Sequence, residues 1–200
     1  MSKDKDLVRK GYDKIAARYM LVRKQYVNHR YLERLNNLLK PGSVILDLGC
    51  GAGKPIDRFF IDNGHNVIGV DISKKQIKLA KSNVPEARYT VKDISNLKRE
   101  EYQVEAVVSF YVILHIPRET HEELFSKINS FLPAGGLILL TMGSSEWEGI
   151  EDFYGTKMYF SHYGPEKNKE IIERAGFEVI LDEIDASRGE ERQVILARKM

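Results

Sequence analysis

Hydrophobic residues recur at helical spacing at the start of this chain and in short runs after it. The first pattern lies between residues 5 and 40 and predicts two helices. The residues that carry it are Leu7, Val8, Ile15, Tyr19, Tyr31, Leu32, Leu35, Leu38 and Leu39. Residues 41–142 then alternate apolar runs with helical patterns and with breaks rich in Gly, Pro and Asn. This alternation predicts a parallel sheet with crossover helices, which makes the fold α/β.

The last third of the chain has a less regular pattern. Residues 143–164 are dense in aromatic side chains and show no clean period, so we expect them to form a lid over an active site. Residues 165–175 have a helical pattern. The apolar runs 177–181 and 193–197 predict two strands, joined by a loop that contains the charged segment 186–191.

A strand that leads into a glycine-rich turn is the most informative motif. An apolar run at residues 44–46 is followed by Asp47, and Gly49, Gly51 and Gly53 alternate before a helical pattern begins. Glycine allows a positive φ and has no Cβ, so a ligand can lie directly against the main chain and the helix N-terminus. Because each glycine costs conformational entropy on folding, ligand binding is a better interpretation than an ordinary turn.

A second acidic residue lies where a nucleoside would need it. The apolar run 66–70 ends at Asp71, which is 22 positions after Gly49. In a doubly wound sheet, an acidic residue at the end of the neighbouring strand can bind the ribose hydroxyls. Asp71 could instead cap the next helix, but Ser73 could fill that role equally well. The two motifs together predict a nucleoside cofactor.

The details of the turn distinguish between nucleosides. In the dinucleotide fingerprint Gly-x-Gly-x-x-Gly the third glycine comes one residue later than Gly53, at the position that Lys54 occupies. Asp47 would repel a pyrophosphate but suits a ligand with a positive charge. S-adenosyl-L-methionine has a ribose, an ammonium group and a sulfonium, and it has no phosphate. A nicotinamide-dependent oxidoreductase is the weaker alternative.

The segment 47–53, Asp-Leu-Gly-Cys-Gly-Ala-Gly, resembles the first motif of the class I S-adenosylmethionine-dependent methyltransferases. The resemblance extends over residues 40–200 and includes a pattern of Tyr12, Asp13, Ala16 and Tyr19. It implies a Rossmann-like sheet of seven strands, mostly parallel, with helices on both faces and an N-terminal helical cap. We expect residues 1–200 to form one domain. Its parts would be the cap at 1–40, the cofactor-binding core at 41–142, the lid at 143–164 and a C-terminal helix and strand pair at 165–200.

The resemblance also implies which residues bind S-adenosyl-L-methionine. Asp47 and the glycine turn would hold its methionine end, Asp71 its ribose, and residues 93–94 its adenine, with Ile72 packed on the adenine face. The expected cofactor-binding residues are Asp47, Gly49, Cys50, Gly51, Gly53, Asp71, Ile72, Asp93, Ile94 and Phe110.

The candidate catalytic residues are His115, His162, Tyr19 and Tyr111. His115 ends the apolar run after the fourth strand, and the reference pKa of histidine, about 6.5, suits a general base. A structural histidine that anchors this loop is the favoured role, and His162 is the alternative base. The residues that we expect to border the acceptor pocket are Tyr19, Tyr111, Trp147, Tyr159 and His162.

Other candidates have simpler interpretations. Tyr12 and Tyr19 are seven positions apart and could both be core-facing helix positions, and we expect Tyr12 mainly to pack. His29, His65 and His121 lie in turns or charged helical surroundings, so we expect them to face solvent. No close set of His, Cys and carboxylate residues has the spacing of metal ligands, so we expect no catalytic metal.

Composition narrows the possible partners and location. Lys and Arg total 31 against 29 for Asp and Glu, so the formal net charge of +2 gives no support for a nucleic-acid partner. Cys50 is the sole cysteine, the N-terminus lacks the apolar core of a signal peptide, and no apolar stretch approaches the ~20 residues that cross a bilayer. These features favour a cytoplasmic protein without a membrane partner, as a monomer or homodimer.

The expected activity is transfer of a methyl group, by in-line displacement, to an oxygen, nitrogen or carbon nucleophile of a small-molecule acceptor. A sulfonium is already an activated electrophile, so positioning and exclusion of water can supply much of the catalysis. A catalytically silent S-adenosylmethionine-binding regulatory or scaffold protein is the main alternative.

Overall fold

The computed structural model describes residues 3–24, 29–187 and 190–200. Two helices open the chain, as the spacing of apolar residues predicts: α1 at Lys3–Lys24 and α2 at His29–Asn36. The first turn of α1 carries Asp4 and Asp6, whose negative charges are favourable at a helix N-terminus. Residues 188 and 189, within the predicted charged loop, lie outside the described residues.

Nine strands follow in the described residues, and seven of them form one sheet. The strands are β1 Val44–Leu48, β2 Asn66–Asp71, β3 Arg88–Val91, β4 Ala106–Ser109, β5 Leu137–Gly143, β6 Trp147–Phe153, β7 Thr156–His162, β8 Phe177–Asp185 and β9 Arg192–Lys199. The large sheet has the order β3-β2-β1-β4-β5-β9-β8, and β9 is antiparallel to both of its neighbours. This confirms the predicted sheet of seven strands, mostly parallel.

Helices cover both faces of this sheet and bury its central strands. Beyond α1 and α2 they are α3 Ile56–Asp62, α4 Lys74–Asn83, α5 His121–Phe131 and α6 Pro165–Arg174. On one face, Phe125 and Ile128 of α5 pack against the sheet, and on the other face Leu32 of α2 and Phe60 of α3 do so. Because β1, β4 and β5 are covered on both sides, their residues are mostly apolar on both faces, which made these strands easy to predict.

The aromatic segment 143–164 folds as a hairpin of β6 and β7, which the sequence pattern does not predict. In β7, Met158, Tyr159, Phe160 and Ser161 are all buried, so the strand lacks the alternation of a half-buried strand. Strand β6 is mostly exposed and rich in acidic residues. The hairpin packs against α1 through Met158 and Phe160, which join Ile15 in one apolar cluster.

Two histidines occupy positions that contradict the expectation of solvent exposure. His121 is fully buried, because the first turn of α5 points it inward, and its Nε2 lies 3.0 Å from the carbonyl oxygen of Ile116. His65 is also buried, with its Nε2 2.9 Å from Oδ1 of Asn36. His29 is exposed, as expected. Among the described residues, none of the helices has the length and apolar character needed to cross a membrane.

Candidate functional site

A cavity of about 920 Å³, including its open mouth, lies at the carboxyl ends of β1, β2 and β4. Its floor is the glycine turn after β1 and the loops after β2, β3 and β4. Its roof is α1, which contributes Lys5, Val8, Tyr12, Tyr19 and Met20. In an open α/β sheet, this edge is where ligands bind.

The glycine turn holds its main chain against this cavity. Gly49 has φ +81°, and a Cβ there would lie 2.1 Å from Cγ2 of Val112, so no side chain fits. Gly51 has φ +55°, and the nearest atom to its added Cβ is Oε1 of Gln76 at 4.0 Å, so its main chain is open on the cavity side. The amides of Gly49 and Cys50 both donate to the carbonyl of Val70, at 2.7 and 3.0 Å, which ties the turn to the end of β2.

Asp71 lines the cavity at the end of β2 and is fixed by main-chain donors. Its Oδ2 accepts a hydrogen bond from the amide of Gly51 at 3.0 Å, and its Oδ1 accepts one from the amide of Ser73 at 2.8 Å. Burial raises the pKa of Asp71 to about 6. The N-cap of α4 is Ser73, whose Oγ accepts from the amide of Gln76, so capping does not account for Asp71.

The residues expected to surround an adenine also line this cavity. Ile72, Asp93, Ile94 and Phe110 are all among its walls. Asp93 caps the short 3-10 helix Ile94–Asn96, because its Oδ1 accepts from the amide of Ser95 at 2.9 Å. Its capping role and its place at the cavity wall therefore coexist.

Asp47 has a different position from the one that the motif suggests. It is 1% exposed, lies behind the glycine turn, and interacts with the carboxyl of Asp57 on α3. Within the described ranges, Asp47 and Gly53 stand outside the cavity lining, whereas Gly49, Cys50 and Gly51 belong to it. Burial raises the pKa of the Cys50 thiol, which keeps it uncharged.

Gln76 is a site residue that the sequence did not single out. It lines the cavity and is 1% exposed, and its Oε1 accepts no hydrogen bond from the described part of the chain. A buried acceptor without a donor costs free energy, about 1–3 kcal/mol, so this atom fits a donor group of a ligand. The available signal was its place in the first turn of the helix that follows Asp71.

Tyr12 and His115 form a polar pair across the cavity. Nδ1 of His115 lies 2.7 Å from the carbonyl oxygen of Tyr159, which can only accept, so Nδ1 carries the proton. Nε2 is then the acceptor, and the Tyr12 hydroxyl donates to it at 2.8 Å. Burial lowers the pKa of His115 to about 4, so the imidazole is neutral at physiological pH. Tyr12, for which packing is the main expected role, therefore also makes a polar contact in the cavity.

Aromatic rings seal the roof where α1 meets the hairpin. Tyr19 lines the cavity, and its ring centroid is 5.3 Å from that of Tyr12 and 5.8 Å from that of Phe153. Phe153 in turn contacts Tyr154 and Phe160, with centroids 4.7 and 5.9 Å apart. These edge-to-face contacts fix the ring orientations.

Polar contacts hold α1 on the two turns that carry acidic residues. Asp13 accepts a hydrogen bond from Oγ of Ser73 at 2.6 Å, next to Asp71. Near the start of α1, Lys5 hydrogen-bonds Ser95, and its Nζ lies 3.5 Å from Oδ2 of Asp93. The roof is thus attached to the same loops that form the floor.

Tyr111 lines the cavity with a strained backbone. Its φ is +63°, a region that costs a non-glycine residue about 1–2 kcal/mol. Its amide donates to Oγ1 of Thr141 at 2.6 Å, which holds this conformation. Residues in such conformations cluster at functional sites.

The other expected pocket residues lie further away. In the described part of the chain, His162, Tyr159 and Trp147 are outside the cavity lining. His162 packs on Gly143 and its Nδ1 lies 2.6 Å from the carbonyl oxygen of Ser145, so it anchors the hairpin to β5. The Tyr159 hydroxyl donates to Glu148 on β6, and Trp147 is 46% exposed. Across the described ranges, no group of three or more His, Cys, Asp and Glu residues is arranged to hold a metal ion.

Comparison with known proteins places this architecture in context. Residues 45–136 match the family model described as a methyltransferase domain. The chain is 29% identical over 153 residues to phosphoethanolamine N-methyltransferase 2 of Caenorhabditis elegans, which covers 74% of this chain and 34% of that protein. It is 30% identical over 146 residues to an Arabidopsis thaliana tRNA (carboxymethyluridine(34)-5-O)-methyltransferase, covering 72% of this chain and 34% of that protein.

A solved structure agrees with the fold over its whole length. Magnesium protoporphyrin IX methyltransferase from Synechocystis PCC 6803 with bound S-adenosylmethionine has a TM-score of 0.74 and 19% identity, covering 100% of this chain and 99% of that one. The curated relatives above are longer proteins, of which this chain spans about a third. The residues that match the family model, 45–136, include the glycine turn.

Proposed function

Because the chain belongs to the class I S-adenosylmethionine-dependent methyltransferase family, we propose that it transfers a methyl group to an oxygen, nitrogen or carbon nucleophile of a small molecule. The observation that carries this proposal is one continuous cavity. It joins the glycine turn, Asp71 and Asp93 to the Tyr12–His115 pair.

The cavity's polar groups suit S-adenosylmethionine. The open main chain at Gly51 and the unsatisfied Oε1 of Gln76 offer space and an acceptor. Asp71 can accept from ribose hydroxyls, and Asp93 with Ile94 can hold the adenine. Asp47, behind the turn, would act on the cationic methionine end through its charge rather than by contact. When bound, S-adenosylmethionine supplies a methyl group activated by its sulfonium.

The Tyr12–His115 pair can position the acceptor and take its proton. A tyrosine hydroxyl can accept a hydrogen bond as well as donate one, so Tyr12 can bind an acceptor O–H or N–H while it donates to His115. As the acceptor loses its proton to Tyr12, the phenol proton can pass to Nε2 of His115. His115 itself stays oriented by the carbonyl of Tyr159.

The closed roof supports a small acceptor. Tyr12, Tyr19 and Met20 of α1 line the roof of the cavity, and their apolar groups would exclude water from the reacting groups. We treat residues 1–200 as one functional unit, because the cap, core and hairpin all contribute to this enclosure. An acceptor that is part of a large polymer would need a wider opening.

Two measurements test the proposed function. Calorimetry should detect binding of S-adenosylmethionine and of S-adenosylhomocysteine, and mass spectrometry should detect S-adenosylhomocysteine formed with members of a small-metabolite panel. If S-adenosylhomocysteine forms with tRNA and with no small molecule, the acceptor is tRNA and the proposed small-molecule acceptor is wrong. Cofactor binding without turnover on either panel would favour a regulatory or scaffold role. Tight binding of NADH without any response to S-adenosylmethionine would overturn the proposal.

A further inference from the structure

Two buried carboxyl groups meet directly behind the glycine turn. Asp57, in the first turn of α3, is fully buried, and Asp47, at the end of β1, is 1% exposed. Their side chains interact with each other. Of this pair, the family motif that begins the glycine turn includes only Asp47, and the proposed function uses neither side chain as a direct ligand contact.

The pair touches the underside of the turn through Tyr89 of β3. The Tyr89 hydroxyl donates to Oδ2 of Asp57 at 2.8 Å. A Cβ added to Gly53 would lie 2.7 Å from the Tyr89 hydroxyl and 3.3 Å from Oδ2 of Asp57, so the turn rests on these atoms. The Tyr89 ring also lies against Gly69 of β2. A change of charge at Asp57 therefore occurs next to Gly53, at the end of the glycine turn.

The hydrogen bonds around Asp57 are compatible with a proton on its carboxyl group. In the described part of the chain, Oδ1 of Asp57 accepts no hydrogen bond from an N–H or O–H group. Two adjacent buried carboxyls repel each other when both are ionised, and a shared proton removes that repulsion. Burial raises the pKa of Asp57 to about 6, while Asp47 and the Tyr89 hydroxyl act in the opposite direction.

The side chains that act on the charge of Asp57 are Asp47 and Tyr89, and neither is a cation. Cys50 on the turn is an uncharged thiol, and burial together with the charge of Asp57 raises the pKa of Tyr89, so its hydroxyl stays protonated. Asp71 adds a further carboxylate from the end of β2. On the same segment, Arg58 pairs with Glu86, and the charge of Lys54 also acts on Glu86.

We propose that Asp47 and Asp57 form a proton-sharing pair whose charge sets the preference for the cationic cofactor over its uncharged-sulfur product. The inference rests on the proposed function, because it concerns S-adenosylmethionine and S-adenosylhomocysteine in the same cavity. Both ligands carry the ammonium and carboxylate groups, and only S-adenosylmethionine carries the sulfonium charge. When the pair loses its shared proton, it gains one negative charge and favours the sulfonium.

Calorimetric titration of the full chain with both ligands, from pH 4.5 to 7.0, tests this inference. This range lies below the pKa of about 7.7–8.0 at which an α-amino group loses its proton. The measured quantity is the ratio of the Kd of S-adenosylhomocysteine to that of S-adenosylmethionine. Asp71 lines the cavity and also has a raised pKa, so its charge acts on the same ligands. The pH dependence that belongs to the pair is therefore the part that a variant of Asp57 removes.

The ratio should rise about three- to tenfold with increasing pH, the scale of one unit charge acting at several ångströms in a partly screened site. Asp57→Asn keeps the shape of the side chain and removes the titrating proton. Its ratio should rise with pH by a smaller factor than the ratio of the unmodified protein. Tyr89→Phe removes a hydrogen bond that lowers the pKa of Asp57, so the rise should move to higher pH.

The outcomes separate this inference from the proposed function. A ratio that does not change with pH, or an Asp57→Asn variant that is folded and titrates like the unmodified protein, overturns the proton-sharing pair and leaves methyl transfer intact. Failure of the unmodified protein to bind either ligand at any pH overturns the proposed function and this inference together. If Asp57→Asn does not fold, the pH profiles of the unmodified protein and of Tyr89→Phe still test the inference. A rise that stays at the same pH in Tyr89→Phe would overturn it.

Discussion

The hydroxyl of Tyr12 lies 2.8 Å from Nε2 of His115, although the two residues are 103 positions apart in the chain. This bond joins the first helix to the loop after β4, and the carbonyl of Tyr159 fixes the other side of the imidazole. The roof and the floor of the cavity thus meet at a group that can accept a proton.

Replacing Tyr12 with phenylalanine tests this pair. Tyr12→Phe keeps the ring packing against Tyr19 and removes the hydroxyl, so we expect kcat to fall about 100-fold, the lower range for loss of general acid–base assistance. The Kd of S-adenosylmethionine should change little. Steady-state kinetics with the identified acceptor and calorimetry measure the two quantities.

Tyr102→Phe is the matched control, because Tyr102 packs against Phe131 on the other face of the sheet. It should leave kcat unchanged. A Tyr12→Phe enzyme with the kcat of the unmodified protein would show that the hydroxyl has no part in the reaction.

The pH dependence of kcat distinguishes the buried His115 from an exposed histidine. Burial lowers the pKa of His115 to about 4, and a base must be unprotonated to accept a proton. If His115 is the base, kcat should therefore be level between about pH 6 and 7.5 and should fall only as the pH approaches 4. An ordinary histidine, with a reference pKa of about 6.5, would lose activity at a higher pH. A decline centred near pH 6.5 would assign the base to a histidine in water instead.

Gln76→Leu tests the buried acceptor in the cavity wall. Leucine is close in size and removes Oε1, which accepts no hydrogen bond from the described residues. We expect the Kd of S-adenosylmethionine to rise about 10-fold, while the free energy of unfolding without ligand stays equal or increases, because an unsatisfied buried acceptor is lost. Calorimetry and urea denaturation measure these effects.

Gln103→Leu, on an exposed loop, is the control and should change neither quantity. An unchanged Kd for Gln76→Leu would remove Gln76 from the cofactor site.

A comparison of Gly49 with Gly64 distinguishes the effect of crowding around a glycine from the effect of its backbone conformation. Their φ values are +81° and +80°, but a Cβ at Gly49 would lie 2.1 Å from Val112, whereas nothing lies within 4 Å of one at Gly64. Gly64→Ala should cost about 1–2 kcal/mol of stability, the price of a left-handed conformation, and should retain cofactor binding. Gly49→Ala should destabilise the protein further and abolish binding. Equal losses of stability in thermal unfolding would contradict the crowding at Gly49.

The sheet was predictable because burial on both faces leaves a clear trace in sequence. The strand that contains Ile45 and Leu46 is apolar except for Asp47, and the glycines after it identify the turn. The hairpin was not predictable in the same way, since β7 is covered by α1 and by the core while β6 is exposed. Neither strand therefore alternates.

The residues of the site also differ in how well the sequence predicts them. Residues in the turn and at strand ends, such as Asp71, follow from local pattern. Tyr12, Gln76 and Asp57 acquire their surroundings only when distant segments pack together, and a single sequence does not record such pairs. Asp47 shows the converse: its motif was correctly recognised, but the fold places its carboxyl behind the turn with Asp57.

A crystal structure of the protein with saturating S-adenosylhomocysteine tests the central claim most directly. We expect the amino-acid end of the ligand against the main chain of Gly49 to Gly51, the ribose at Asp71 with Gln76 in reach, and the adenine beside Asp93 and Ile94. Electron density for the ligand at another surface, or none along the glycine turn, would contradict the account.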